Sequence, residues 1–368
     1  MKTKIAVLIA LSSIATTALA ASNRISNGQI IYTSGEVQLE RQNGQIVRPT
    51  AGTRIYPGDK LRTAQNGQLT IQCADLGIKA IASSENQLNS CLLAKERSKS
   101  DCSADLIKCP ARGDGKITWN SAPIPYIISP RRTKLLNNKP ILRWNPVAGA
   151  TSYKLSFREN GAKFNWEMTV SGTEAVYGGE PVLKPGASYK LIVETNTGIS
   201  SENAVGEGDI EFSLLDEREM QRVKNEIGAI DKQVPNETAK KLAISNVYLN
   251  INSIAEAIEI LESLPKIGVE TPPIYRTLGD LYLEKLQLVP QAEFYYLKVI
   301  NAAKPDDIEE LTVARYGLGQ VHSAMRKNQE AMRYLRMAKD GFKSLGDLPM
   351  VEKVEKQLRD LQRREERK

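Results

Sequence analysis

The stretch Leu278-Gly279-Asp280-Leu281-Tyr282-Leu283 decides the fold of the C-terminal half of this 368-residue chain. Its glycine and its tyrosine belong to a pattern that recurs along the sequence, together with an alanine further on. The equivalent positions are Ser245, Gly279 and Gly319; Tyr248, Tyr282 and His322; and Ala257, Ala292 and Ala331. The second set is spaced by 34 and then 40 residues, which predicts an inserted loop near residues 304–310. A period of this length is typical of stacked helical hairpins that share a core.

Hydrophobic periodicity extends the helical region from residue 216 to residue 368. Met220, Val223, Ile227 and Ile230 lie on one face of a first helix, which Pro235 is expected to end. The small residues of the repeat predict places where the two helices of a hairpin approach closely. Residues 349–367 combine an apolar face with a charged one, and we expect them to cap the array.

Two segments resemble the first helices of tetratricopeptide repeats: the stretch quoted above and Tyr316-Gly317-Leu318-Gly319-Gln320. Residues 257–261 and 331–335, each beginning with alanine, resemble second helices. The resemblance implies an all-α array whose concave groove holds a protein or an extended peptide. The groove positions that it implies are Asn246, Asn250, Arg276, Asp280, Glu284, Tyr316, Gln320 and Ser323. A merely solvated surface is the alternative interpretation of these polar residues.

Residues 139–215 alternate between apolar and polar side chains with the period of two that strands require. Tyr153, Leu155 and Phe157 form one such run, and short runs of this kind with Gly and Pro between them indicate a β-sandwich. The stretches 142–153 and Leu183-Lys184-Pro185-Gly186-Ala187-Ser188-Tyr189 resemble a fibronectin type III domain. The resemblance implies that the Tyr189 hydroxyl bonds back to the preceding loop. We expect the tryptophans of this unit to be core residues rather than a platform for glycans.

Residues 22–92 read as a smaller β domain. Leu69, Ile71 and Cys73 alternate with polar residues, and Asn-Gly-Gln occurs at Asn27, Asn43 and Asn66, where Asn-Gly favours hairpin turns. The stretches Gly52-Thr53-Arg54-Ile55 and Pro57-Gly58-Asp59-Lys60-Leu61-Arg62-Thr63 resemble the FecR-type domain of bacterial envelope proteins. Members of that family are exported, and some sense a transport signal in the periplasm.

The cysteines all lie in the N-terminal third, at Cys73, Cys91, Cys102 and Cys109. An even number in an exported chain predicts disulfides, and three pairings are possible. We favour Cys73–Cys91 and Cys102–Cys109, because these pairs close the shortest loops. Residues 93–138 then form a disulfide-containing connector, stiffened by prolines towards its end.

Residues 1–20 have the features of a secretory signal peptide: Lys2 and Lys4, an apolar centre, and Ala-Leu-Ala before the expected cleavage site. Its removal leaves 48 basic and 43 acidic residues, a net charge of +5. This mild charge carries no concentrated basic face, so nucleic acid is not an expected partner. We expect the mature protein in the periplasm or outside the cell, with no transmembrane segment.

Nothing in the sequence points to an enzyme, a cofactor or a metal. The sequence contains no nucleophile elbow, zinc-protease motif, phosphate-binding loop or calcium loop. The single histidine, His322, takes a packing position of the repeat. The first hypothesis is therefore a non-enzymatic scaffold that binds an envelope protein or peptide in the helical groove. The alternatives are a periplasmic sensor and a binder of cell-wall glycan.

Overall fold

The computed structural model describes residues 25–81, 87–88, 91, 124–159, 162–203 and 211–366. An N-terminal β region with several mostly antiparallel sheets precedes a C-terminal region of eight α-helices in these described residues. This order is the one that the change of hydrophobic period predicts. The predicted signal peptide and the cysteines Cys102 and Cys109 lie outside the described residues.

The first β unit has two small sheets that enclose a core of their own. Their strands are β1 (Gly28–Ser34), β2 (Val37–Glu40), β3 (Ile46–Val47), β4 (Arg54–Ile55), β5 (Lys60–Thr63), β6 (Gln68–Cys73), β7 (Ile78–Ile81) and β8 (Gln87–Leu88). The strand orders are β4-β1-β6-β7 and β3-β2-β5-β8. The predicted inward positions Leu69 and Ile71 are buried in this core, so the alternation identifies the correct face.

A disulfide joins Cys73 and Cys91, as one of the favoured pairings predicts. It ties the end of β6 to the residue that follows the last strand of the unit. The Asn27 side chain donates a hydrogen bond of 2.9 Å to the Cys91 carbonyl and supports the same junction. The unit is thus closed covalently at the point where the connector leaves it.

The three Asn-Gly-Gln tripeptides have different structures, and the hairpin expectation is right only for the second. Asn43-Gly44 makes the turn between the paired strands β2 and β3, with a φ of 81° at Gly44. Asn66-Gly67 instead links β5 to β6, which lie in different sheets. At the first copy Gly28 already begins β1, and Asn27 is buried. Tertiary context, rather than the dipeptide, decides these two cases.

The second β unit is a two-sheet sandwich. Its strands are β9 (Ile127–Ser129), β10 (Thr133–Leu135), β11 (Ile141–Trp144), β12 (Tyr153–Glu159), β13 (Ala162–Val170), β14 (Glu174–Val176), β15 (Ser188–Thr195) and β16 (Phe212–Leu214). One sheet has the order β10-β16-β15-β12-β13 and the other β14-β11-β9. Strands β9 and β10 fall in the stretch predicted to be connector. They pair with β11 and β16 because Ile127 and Leu135 are buried in the sandwich core.

Aromatic residues fill this core as expected. Trp144 is buried, and the half-buried Trp166 stacks on Phe157 with ring centroids 4.6 Å apart. The Lys184 amide donates a hydrogen bond of 2.8 Å to the Tyr189 hydroxyl, so the predicted tie to the preceding loop is confirmed. Both described tryptophans thus pack against other aromatic rings of the sandwich.

The helices follow in hairpin order. They are α1 (Glu217–Gln233), α2 (Glu237–Asn250), α3 (Ile254–Lys266), α4 (Pro272–Asp280), α5 (Val289–Ala302), α6 (Ile308–Ala324), α7 (Asn328–Ser344) and α8 (Leu348–Glu365). Helix α2 packs on α3, α4 on α5, α6 on α7, and α8 closes the stack against α7. Helix α4 continues into a wider π-helical turn, Leu281–Lys285. The predicted inserted loop is present at residues 303–307.

Glycines allow the helices of this array to approach closely. A Cβ atom on Gly279 would lie 2.7 Å from the Tyr296 ring on α5, and one on Gly319 would lie 2.6 Å from Leu335 on α7. Real Cβ atoms do not approach other atoms so closely, so any larger residue would push the two helices of the hairpin apart. The small positions of the repeat therefore have the packing role that the sequence predicts.

Candidate functional site

The N-terminal β unit packs against the helical face that carries the predicted groove residues. On α2, the Asn246 amide donates hydrogen bonds of 2.8 Å to the side-chain oxygens of Gln29 on β1 and Gln72 on β6. At α4, the Thr271 hydroxyl donates a bond of 2.8 Å to the Ala51 carbonyl. Part of the predicted groove is thus occupied by another part of the same chain.

Gly52 lies at a point where the backbone of the β unit comes close to α4. Its φ is 93°, and a Cβ atom added there would lie 3.1 Å from Cβ of Pro273 at the start of α4. Apolar contacts surround this point, since Ile31 of β1 is buried in the same core as Ile274 and Leu278. The unit therefore docks through apolar packing as well as through polar bonds.

A buried group of charged residues forms the centre of this contact, and we call it the interdomain ionic cluster. It comprises Arg41, Arg54, Tyr56 and Asp59 from the β unit and Arg276, Asp280, Glu309 and Glu310 from α4 and α6. Arg41 bonds to Asp59 at 2.6 Å and to Glu309 at 2.8 Å. The Tyr56 hydroxyl donates to Glu309 at 2.6 Å.

Two further ion pairs extend the cluster. Arg54 lies 3.1 Å from Asp280, which also accepts a bond of 2.9 Å from the Tyr296 hydroxyl. The Arg276 side chain is 1% exposed, and its nitrogens lie 3.2 Å from Glu310 and 3.5 Å from Glu309. Predicted groove residues Arg276 and Asp280 are therefore engaged inside the protein.

Burial changes the proton affinities in the cluster. Burial opposes the positive charge of Arg276, but the neighbouring carboxylates, Glu310 first, outweigh that effect and raise its pKa. Burial raises the pKa of Glu310 to about 7, against the opposing attraction of Arg276 and with a smaller contribution from Glu309. The cluster thus contains a carboxyl group that titrates near neutral pH.

A second group of side chains lies next to this contact, around the buried Tyr316 ring, and we call it the free strip because no described bond joins it to the β unit. It consists of Glu284, Tyr316, Gln320, Lys353 and Gln357. Gln320 and Gln357 both donate bonds to the Tyr316 hydroxyl, at 3.2 and 3.3 Å, and the Lys353 ammonium lies 5.4 Å from the centre of the Tyr316 ring. The strip thus joins the π-helical turn, α6 and α8.

Unpaired acceptors lie in the free strip. Among the described residues, Glu284 Oε2 and Gln357 Oε1 are shielded from solvent yet have no hydrogen-bond partner. Burial, followed by the charge of Asp280, raises the pKa of Glu284 to about 8. The remaining predicted groove residues, Asn250 and Ser323, are half-buried on α2 and at the end of α6. The strip therefore contains two buried acceptor oxygens that no described donor satisfies.

Sequence reasoning missed the residues that meet the helices from the β unit. Arg41 and Arg54 look like ordinary strand-surface charges in the sequence. Asp59 belongs to the Gly-Asp stretch of the FecR-type resemblance and is 1% exposed, which the motif alone does not reveal. The sequence of residues 349–367 predicts only a capping helix, so it does not point to Lys353 and Gln357. The only local signal in the sequence is the Gly58-Asp59 pair, with Arg54 and Arg62 close to it in the chain.

The sandwich meets the helices through a different set of contacts. Arg143 lies 3.0 Å from Glu262 on α3, which also accepts bonds from the Tyr282 and Tyr295 hydroxyls. Glu256 accepts bonds from the Leu136 and Asn137 amides of the segment after β10. Both β units are thus in direct contact with the helical array.

His322 has the packing environment that its position in the repeat predicts. Its ring stacks on Tyr334 with centroids 5.3 Å apart, and burial lowers its pKa. Across the described residues, no group of three or more His, Cys, Asp and Glu side chains is arranged to hold a metal ion. No described helix has both the length and the apolar character needed to cross a membrane.

The fold and this face define a multidomain protein whose first β unit is docked on a helical hairpin array. Neither the known protein-family models nor the curated proteins provide a match to the chain.

Proposed function

We propose that this protein is a non-enzymatic, exported scaffold that holds an envelope protein or peptide against its helical array. In this proposal the three units are a FecR-type domain, a fibronectin type III-like sandwich and tetratricopeptide-like repeats. Hairpin order and glycine packing support the repeat assignment. The Tyr189 bond to the Lys184 amide supports the sandwich assignment. The Cys73–Cys91 disulfide is compatible with export.

The free strip carries the proposal. It combines four half-buried polar side chains, a carboxyl group, an ammonium group and two amides, around the buried Tyr316 ring. Because an extended segment offers an N–H donor and a carbonyl acceptor at each residue, such a mixed surface suits it. The partner would therefore lie along the strip beside the docked β unit.

Affinity capture from envelope extract tests the proposal with two variants that carry the same change. Gln320→Arg places a bulky cation in the free strip, whereas Gln329→Arg places it at an exposed site on α7. We expect a partner that the mature protein and the Gln329→Arg protein retain and that the Gln320→Arg protein loses at least tenfold. Equal retention by both variants, or no retained partner at all, would refute the strip as the binding site.

A periplasmic sensor is the second candidate, and the docking of the β unit favours it. Arg41, Arg54 and Asn246 connect that unit directly to α2, α4 and α6. A ligand that altered the β unit would therefore alter contacts on the helical face. A change in partner affinity upon replacement of Arg54 would support this candidate over a passive scaffold.

A further inference from the structure

The interdomain ionic cluster contains more buried acids than bases. Its carboxyl groups are Asp59, Asp280, Glu309 and Glu310, and its guanidinium groups are Arg41, Arg54 and Arg276. With all groups ionised the cluster would carry one negative charge in excess. Because an uncompensated charge is costly away from water, docking favours a state in which one carboxyl holds a proton.

Glu310 has the geometry of that proton carrier. It lies at the start of α6 and is 8% exposed, and its Oε2 atom has no hydrogen-bond partner among the described residues. Arg276 lies 3.2 Å away but is shared with Glu309. Asp59, Asp280 and Glu309 in contrast all accept hydrogen bonds. Among the four carboxyl groups, Glu310 is thus the one whose negative charge is least balanced by hydrogen bonds and arginines.

The charged surroundings of Glu310 come from each element packed around it. The helices contribute Arg276, Asp280 and Glu309, and the π-helical turn contributes Glu284. The β unit contributes Arg41, Arg54, Tyr56 and Asp59. Arg48, Asp306 and Asp307 line a cavity of about 40 Å³ next to the cluster. The three nearest arginines already share four carboxylates.

The β unit has a structure that can stay folded when it separates from the helices. It encloses its own core, its described strands pair only with one another, and its disulfide closes it. The chain passes once from this unit to the rest, between residue 91 and residue 124. The contact between the units combines the ionic cluster with the apolar packing of Ile31, and a mixed contact between units joined in this way is suited to reversible docking.

We propose that docking of the N-terminal β unit on the helical array is a proton-linked switch, in which Glu310 is protonated in the docked form and ionised in the released form. Release exposes Asn246, Arg276 and Asp280, which the β unit covers. The inference goes beyond the scaffold proposal, because it concerns contacts within one chain and does not depend on a partner.

The sign of the pH dependence follows from proton binding. A carboxyl with a pKa raised from 4.5 to about 7 in the docked form binds more protons there than in the released form. Docking is therefore strongest at low pH and weakens as the pH rises from 4.5 towards 7, after which it stays constant. We define the opening constant as the ratio of released to docked protein. With a pKa of 4.5 in the released form and about 7 in the docked form, this ratio increases about thirtyfold between pH 5.5 and pH 8.5.

Hydrogen–deuterium exchange of the mature full-length protein measures this opening. Labelling times are scaled to the intrinsic exchange rate at each pH, and peptides covering residues 46–56 and 272–280 report on the interface. Peptides from β5 and α7 report on unfolding and should keep their protection. We expect the interface to open about thirtyfold more readily at pH 8.5 than at pH 5.5. Opening that is independent of pH would overturn the proposal.

Glu310→Gln is the decisive variant, since glutamine imitates the neutral form at every pH. We expect its interface opening to change less than about threefold over the same range. Glu330→Gln, on the exposed face of α7, is the matched control and should behave as the unmodified protein does. A full pH response in the Glu310→Gln protein would overturn the assignment to Glu310.

Discussion

At the scale of single residues, glycines rather than large apolar residues determine how closely the helices pack. Gly279 and Gly317 both face the Tyr296 ring, which α5 inserts between α4 and α6. We predict that Gly279→Ala lowers the free energy of unfolding by about 1–3 kcal/mol, because the new methyl group would overlap that ring. Urea denaturation followed by circular dichroism measures the change.

Gly228 in α1 provides the matched control for this substitution. Nothing lies within 4 Å of a Cβ atom added there. The Gly228→Ala protein should therefore gain about 0.5–1 kcal/mol from helix propensity alone. A Gly279→Ala protein as stable as the Gly228→Ala protein would contradict the close approach of α4 and α5.

At the scale of elements, the disulfide closes the first β unit. Cys73 and Cys91 are separated by 18 residues, and most of the last strands of the unit lie within that loop. We predict that Cys73→Ser combined with Cys91→Ser destabilises this unit by about 3 kcal/mol, because the unfolded chain gains the entropy of the open loop. Exchange protection of peptides from β1 and β6 measures the loss, and unchanged protection would show that the bond is dispensable.

Elements could be predicted from the sequence because their signals are local. The period of two at Leu69 and Ile71, and the repeat at Gly279 and Gly319, depend on neighbours in the chain or on one hairpin. The roles of Asn27 and Asn66 could not be predicted, since distant strands decide them. Strands β9 and β10 could not be predicted for a similar reason. Prolines and charges make residues 124–138 resemble a linker, and the strands with which β9 and β10 pair are distant in the sequence.

At the scale of the whole molecule, the central feature is the docking of the β unit on the helical array. Arg54 and Asp280 are 226 residues apart in the chain, and no local pattern connects them. The helical repeats by themselves predict an open groove, because their sequence contains no sign that the β unit packs against it. The same chain occupies part of that surface, and the ionic cluster lies in the contact between the units.

A double-mutant cycle on Arg54 and Asp280 tests this docking most directly. Replacement with Met and Asn, singly and together, followed by urea unfolding, gives the coupling energy of the pair. We predict a coupling of about 1 kcal/mol, since both side chains are partly shielded and lie 3.1 Å apart. The control cycle pairs Asp280 with Arg62, which binds Glu40 within the β unit, and should give a coupling near zero. Equal, negligible coupling in both cycles would contradict the docked arrangement.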